Sequence, residues 1–159
     1  MTYEHLQTQY ETLNIQELDL SEVSGLKGLC LDDNIAIEET LNQNEKACIL
    51  AEELGHYHTS VGNILDQTNA ANRKQERIAR LWAYDKMIGL SGIISGYKRR
   101  CKNRYEFAEY LGVTEEFLNE ALHCYREKYG VYVNFDGYTI FFEPALAVME
   151  RYWNIETNE

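Results

Sequence analysis

The chain has 159 residues, of which 45% are hydrophobic, and this is enough for one domain or two small lobes around a substantial core. Its formal net charge of −11 argues against direct binding of nucleic acid, because a polyanion repels phosphate. No apolar run approaches the roughly 20 residues that span a bilayer, and residues 1–5 do not begin a secretion signal, so we expect a cytoplasmic protein without membrane contact.

The first third of the chain predicts a helix followed by a β-hairpin. Residues 2–13 are polar with apolar positions at helical spacing, which indicates a helix. Two short apolar runs then follow, at residues 25–31 and 35–37, and they are separated by the turn-forming residues 32–34. This pattern is typical of two antiparallel strands joined by a tight turn.

Two longer helices are predicted next. Either Asn42 or Asn44 can cap the first of them, which runs through His56. Residues 59–71 are polar, and we expect them to be irregular. A second helix begins at Asn72 and ends near residue 89.

The last third of the chain has the order helix, glycine turn, helix and hairpin. A short helix over residues 105–111 ends at Gly112, and Thr114 caps a second helix that ends at Gly130. The step Asp136-Gly137 between two β-rich runs is the strongest hairpin signal in the chain. The order resembles a winged helix-turn-helix, but the second helix is too acidic to face DNA, so structural use or partner docking is the better interpretation.

These elements predict an α+β fold that is predominantly helical. We expect residues 1–95 to form one core and residues 96–159 to form a winged-helix-like lobe packed with it as one unit. Residues 97–104 are a short basic cluster in this acidic chain. They are either a solvated loop between helices or a docking patch for an acidic partner, and the net charge favours the loop.

The segment Glu52-Glu53-Leu54-Gly55-His56 resembles the zinc-peptidase motif H-E-x-x-H. In that motif, two ligands four residues apart share one helical face, and the intervening glutamate takes a proton from metal-bound water. Glu53 and His56 match the second and fifth positions of the motif. Glu52 stands at the first position, where a carboxylate can bind zinc at about the distance of an imidazole.

A third candidate ligand lies on the following helix. Glu76 comes 20 residues after His56, which is enough chain for a loop and a return to the first helix. We expect the two helices to pack through two apolar faces, Leu50/Leu54 and Ile78/Trp82. The ligand set Glu52, His56 and Glu76 would leave a fourth zinc position for water.

The chain also resembles the ImmA/IrrE family of metallo-endopeptidases, of the type carried by phages and mobile elements. The resemblance rests on residues 50–57, on the pattern Gln75-Glu76-x-x-Ala79-x-x-Trp82-Ala83 and on the preceding residues 25–28. It covers roughly residues 20–90. It implies a zincin-like metal helix with Zn2+ as cofactor, a Glu base matched by Glu53, a ligand matched by His56, and a downstream acidic ligand, for which Glu76 is the candidate.

The same resemblance implies a substrate and a biological role. Members on mobile elements cleave or help to inactivate a helix-turn-helix repressor of the same element. An acidic enzyme would meet such a basic substrate quickly, because opposite charges speed encounter.

Two other interpretations remain open. The first is a catalytically inactive module of the same fold that binds the repressor without cutting it, which the glutamate at position 52 favours. The second is a di-iron carboxylate protein, because Glu53-x-x-His56 and Glu120-x-x-His123 repeat the spacing that such four-helix bundles use.

Overall fold

The computed structural model describes residues 1–23, 25–59 and 70–151. Within them the chain is α+β and mostly helical, as predicted, and each of the two predicted hairpins is part of a three-stranded sheet. The helices are α1 (Tyr3–Gln9), α2 (Gln43–Thr59), α3 (Ala70–Met87), α4 (Gly89–Lys98), α5 (Arg104–Leu111) and α6 (Glu115–Tyr129). The strands are β1 (Asn14–Leu18), β2 (Gly28–Leu31), β3 (Asn34–Glu38), β4 (Tyr132–Phe135), β5 (Tyr138–Phe141) and β6 (Ala147–Glu150).

The first sheet has the strand order β1-β3-β2. β2 and β3 form the predicted antiparallel hairpin, with Gly28 opposite Ile37 and Leu31 opposite Asn34. β1 runs parallel to β3 and was not predicted. The predicted helix over residues 2–13 ends at Gln9, because the chain must turn before it enters this strand.

The start of α2 settles which asparagine caps it. The Asn42 side chain accepts a hydrogen bond from the Glu45 backbone N–H at 2.9 Å, and the Glu45 carboxylate accepts one from the Asn42 N–H at 2.9 Å. This reciprocal pair is a capping box, which satisfies two backbone donors that a helix end leaves free. Asn42, and not Asn44, is therefore the cap.

α2 and α3 pack against each other at close range beside the candidate site. Leu50 and Leu54 of α2 are fully buried, as predicted, but Ile78 is 45% exposed and does not face α2. Trp82, the other residue of the predicted face, is half-buried and stacks on His58 of α2. The fully buried residues of α3 are small, Ala79 and Ala83. Of the segment predicted to be irregular, residues 60–69 lie outside the described residues, while Thr59 and residues 70 and 71 belong to the two helices.

The closest approach between α2 and α3 occurs at Gly55. A Cβ built on Gly55 would collide with the backbone carbonyl oxygen of Ala79. We therefore expect Gly55→Ala to force the helices apart and to lower the free energy of unfolding by about 2 kcal/mol, measured by urea denaturation. Gly92→Ala is the matched control, because a Cβ there would meet side chains and no backbone, Leu111 at 3.3 Å and Ile88 at 3.7 Å. Equal stability of the two variants would contradict this account of the contact.

The C-terminal part follows the predicted order, with one helix and one strand added. α5 ends at Gly112, which has φ of 72°, and the Thr114 hydroxyl accepts from the Phe117 N–H at the start of α6. β4 and β5 pair across Asp136 and Gly137, both at positive φ as a type I′ turn requires. α4 and the third strand, β6, were not predicted. Residues 152–159 of the predicted lobe lie outside the described residues.

The main hydrophobic core contains residues from both parts of the chain, before and after residue 95. Leu50 and Leu54 of α2 belong to the same buried cluster as Leu118 and Tyr125 of α6. None of the described helices is both long enough and apolar enough to cross a membrane.

Candidate functional site

α2 and α3 bring His56 and Glu76 into contact. The His56 Nε2 atom lies 3.3 Å from the Glu76 Oε2 atom, and the two side chains are only 20% and 22% exposed. This distance is long for a charge-assisted hydrogen bond, which is about 2.7–2.9 Å. Two ligands that each lie about 2.0–2.1 Å from a tetrahedral zinc ion are about 3.3 Å apart. The spacing of this pair therefore fits two ligands of one zinc ion.

The other ring nitrogen of His56, Nδ1, is buried. No described residue forms a hydrogen bond with His56 Nδ1. A buried polar atom left unpaired is uncommon and costs free energy. The contact with Glu76 is thus the polar interaction that orients this imidazole within the described part of the chain.

Arg80 shares the Glu76 carboxylate with His56. Its Nε atom lies 3.2 Å from Glu76 Oε1, one helical turn away along α3. The Arg80 charge also acts on Glu52, where it lowers the carboxyl pKa against the effect of burial. A single positive charge is therefore held close to two of the predicted ligands. Arg80 was not predicted as a site residue, although its spacing from Glu76 is that of a helical ion pair.

Glu52 faces a cleft between α2 and the start of α6. Burial, together with repulsion from nearby carboxylates, raises the pKa of Glu52 to about 7. The cleft has a volume of about 320 Å³, and its charged lining residues are Lys27, Glu45, Glu52, Arg80, Glu116 and Glu120.

The described residues include no group of three or more His, Cys, Asp or Glu side chains placed to hold a metal ion. The pair His56–Glu76 fits zinc, whereas Glu52 does not join it in a three-membered group. The ligand role of Glu52 stays a prediction.

Glu53 is a half-buried carboxyl group beside strand β2. Burial, followed by repulsion from Glu52 and Glu76, raises the pKa of Glu53 to about 7. A Cβ built on Gly28 would lie 2.9 Å from Glu53 Oε1 and 2.5 Å from a methyl carbon of Ile49. Gly28 is thus the residue that allows β2 to approach Glu53, and a glycine inside a strand is the sequence signal for such an approach.

The raised pKa values of Glu52 and Glu53 predict a pH-dependent stability of the metal-free protein. Both carboxyls have an ordinary pKa of 4.5 and a folded-state pKa of about 7. Between these values the folded state binds more protons than the unfolded state, so stability falls as pH rises through this window.

Glutamine is uncharged at every pH and has the shape of a protonated glutamate. We therefore expect the double variant Glu52→Gln/Glu53→Gln to lose less stability than the wild type between about pH 5 and pH 8. Urea unfolding with a chelator present measures the free energy of unfolding of both proteins at each pH. Parallel pH profiles would show that neither carboxyl is proton-linked to folding.

Three other side chains make their polar or ring contacts elsewhere: His58, and Glu120 and His123 of the di-iron interpretation. α2 continues through Thr59, so His58 points away from His56 and stacks on Trp82 with ring centroids 4.9 Å apart. His123 is 60% exposed and lies 3.2 Å from Glu127, while Glu120 accepts a hydrogen bond from the Tyr84 hydroxyl at 3.2 Å. This arrangement gives no support to a di-iron centre.

Comparison with known families places much of the chain in a peptidase family. Residues 8–123 match the model of peptidase family M78, described as the IrrE N-terminal-like domain. The match includes α2, α3 and each of the predicted site residues. No curated protein and no solved structure shows significant similarity to the chain.

Proposed function

Because the chain belongs to the peptidase M78, IrrE N-terminal-like family, we propose that it is a zinc-dependent endopeptidase of the ImmA/IrrE type. We further infer that its metal site is built on a zincin-like helix. The family makes a metallopeptidase the expected activity. The observation that carries the zinc proposal is the 3.3 Å separation of His56 Nε2 and Glu76 Oε2. In this proposal His56 and Glu76 hold the ion, and Glu52 is the third ligand.

Zinc, when bound, would act as a Lewis acid that polarises the scissile carbonyl group and acidifies a water molecule. Glu53 would accept the proton of that water and return it to the leaving amine. A general base works best when its pKa lies near the working pH, and burial brings the pKa of Glu53 to about 7. Glu53 and not Glu52 is the proposed base, because it lies beside β2, whereas Glu52 faces the acidic cleft.

The edge of the first sheet offers a place for an extended substrate. β2 is an edge strand in the sheet order β1-β3-β2, and an extended peptide can add to such an edge through main-chain hydrogen bonds. Because Gly28 has no side chain, β2 lies close to Glu53. A substrate strand on β2 would therefore pass near the proposed base.

We further propose that the substrate is a helix-turn-helix repressor of a phage or mobile element and that the enzyme acts in the cytoplasm. The net charge of −11 favours encounter with a basic DNA-binding protein. The test is incubation of the zinc-loaded protein with the repressor encoded beside its gene, followed by mass spectrometry of the products. Defined fragments that do not form after chelation are expected. Intact repressor throughout would contradict the endopeptidase proposal.

A second candidate function is supported by the polar contacts around Glu76. Arg80 already contacts one oxygen of Glu76, and its charge also acts on Glu52, which stands at the first motif position and lines the cleft. These contacts would suit an inactive module that binds the repressor without cutting it. Stoichiometric binding of intact repressor by the zinc-loaded protein, with no fragments formed, would favour this candidate.

A further inference from the structure

The cations of the chain are unevenly distributed, and one group of them lies outside the candidate site. Residues 86–105 contain six of the 15 Lys and Arg residues and none of the 26 Asp and Glu residues. Five of these cations belong to residues 97–104, which join α4 to α5 and which we call the basic turn. All five side chains are exposed: Lys98, Arg99, Arg100, Lys102 and Arg104.

The five cations of the basic turn form no ion pair with any described residue, whereas Lys46, Arg77, Arg80 and Arg126 elsewhere each contact a carboxylate. Lys98 lies 5.2 Å from the centroid of the Tyr138 ring, and Arg99 lies 5.6 Å from that of Tyr110. The Arg104 guanidinium donates to the Asn119 side chain. The positive charge of the turn is therefore not neutralised within the described part of this acidic molecule.

The backbone of the basic turn places an arginine where glycine is usual. Arg100 has φ of 60°. Its N–H donates to the Tyr97 carbonyl at 2.9 Å, and the Cys101 N–H donates to the Gly96 carbonyl at 3.2 Å. These two bonds define a Schellman motif that ends α4, and its left-handed position is usually occupied by glycine. The chain thus keeps a charged side chain at a position where glycine would be more stable.

We propose that the basic turn is a docking surface for an acidic segment of a partner protein. The charge complements such a segment directly, and tyrosine and arginine are among the residues enriched at the centres of protein interfaces. Tyr97, Tyr105 and Tyr110 are 43%, 61% and 43% exposed in and beside the turn. This surface is separate from the residues that would hold zinc and does not depend on the peptidase proposal.

The ring contacts favour a protein over a single-stranded nucleic acid as the occupant. Nucleic-acid surfaces of this kind use free aromatic faces on which successive bases stack. Here the Tyr110 and Tyr138 rings already carry a cation over one face, and Tyr97 makes an edge contact with Tyr138 at 6.3 Å. The net charge of −11 adds a repulsive field for a long polyphosphate chain.

The test compares two variants of the full chain, each with three cations changed to glutamate. The variants differ only in where these three residues lie. The first carries Lys98→Glu, Arg99→Glu and Lys102→Glu in the basic turn. The matched control carries Arg73→Glu, Lys74→Glu and Lys128→Glu, which reverse three exposed cations that line a separate groove between α3 and α6. The probe is a fluorescent oligo-glutamate peptide with one tyrosine, and its binding is followed by anisotropy at physiological salt.

We expect the turn variant to bind the peptide at least about tenfold more weakly than wild type, and the control to change affinity less than about threefold. Equal weakening in both variants, or no binding by wild type, would overturn the proposal. Tighter binding of an oligothymidine of equal charge than of the peptide would instead assign the surface to nucleic acid.

Arg100→Gly distinguishes an effect on docking from an effect on folding, because it should raise stability while it lowers affinity. Glycine adopts the left-handed conformation without strain, so the melting temperature should rise by a few degrees while affinity for the peptide falls. A variant that gains stability and keeps wild-type affinity would show that Arg100 takes no part in docking.

Discussion

Replacing His56 by alanine is expected to leave the purified protein without stoichiometric zinc. His56 is the imidazole at a motif position, and its Nε2 atom is within ligand spacing of Glu76. Without it the nearby donors are carboxylates, which favour harder ions than zinc. The loss should therefore be specific for zinc, and metal analysis by mass spectrometry after dialysis measures it directly.

His58→Ala is the matched control for this experiment. His58 lies two residues further along α2, and its ring stacks on Trp82, away from Glu76. Burial against its neighbours and the nearby Lys86 charge lower the pKa of His58, but it contacts none of the predicted ligands. We expect this variant to retain zinc like the wild type. Zinc lost from His58→Ala and retained by His56→Ala would place the metal at a different site.

Glu53→Gln is expected to lower the rate of repressor cleavage by about 100-fold or more while zinc stays bound. Glutamine preserves the shape of the side chain beside Gly28 but cannot accept a proton. The variant should therefore keep its fold and its affinity for the substrate. Single-turnover cleavage assays, together with metal analysis of the same sample, measure the two properties separately.

Glu39→Gln serves as the control for the removal of one carboxylate, because Glu39 is exposed and lies outside the site. It should cleave at the wild-type rate. If Glu53→Gln also cleaves at that rate, Glu53 is not the base, and the mechanism fails even though the family assignment stands. If Glu53→Gln loses its zinc, then Glu53 is a ligand, and Glu52 becomes the candidate for the base.

The sequence predicted the elements whose signals are local. The capped start of α2, the end of α5 at Gly112 and the turn at Asp136-Gly137 each depend on a few neighbouring residues, and each was predicted. β1 was missed because it is an edge strand in which only Ile15 is partly buried, so the chain shows no alternation of apolar and polar residues. Its partner β3 lies 20 residues away.

In the candidate site, too, some features follow from local sequence and others from contacts between distant parts of the chain. Helical spacing placed Glu53 and His56 on one segment, but it could not show on which side of α2 each carboxylate lies. That depends on α6, which brings Glu116 and Glu120 to the cleft beside Glu52. The burial of Ala79 in place of Ile78 likewise follows from the backbone contact at Gly55, since only a small residue fits there.

That contact also bears on how the pair would receive an ion. Gly55 precedes His56, and Ala79 follows Glu76 by three residues, so the backbones meet within one helical turn of both side chains. The contact thereby fixes the distance between the two stretches of main chain that carry His56 and Glu76. Only side-chain torsions are left to adjust when an ion binds, so the site is pre-organised at the level of the backbone.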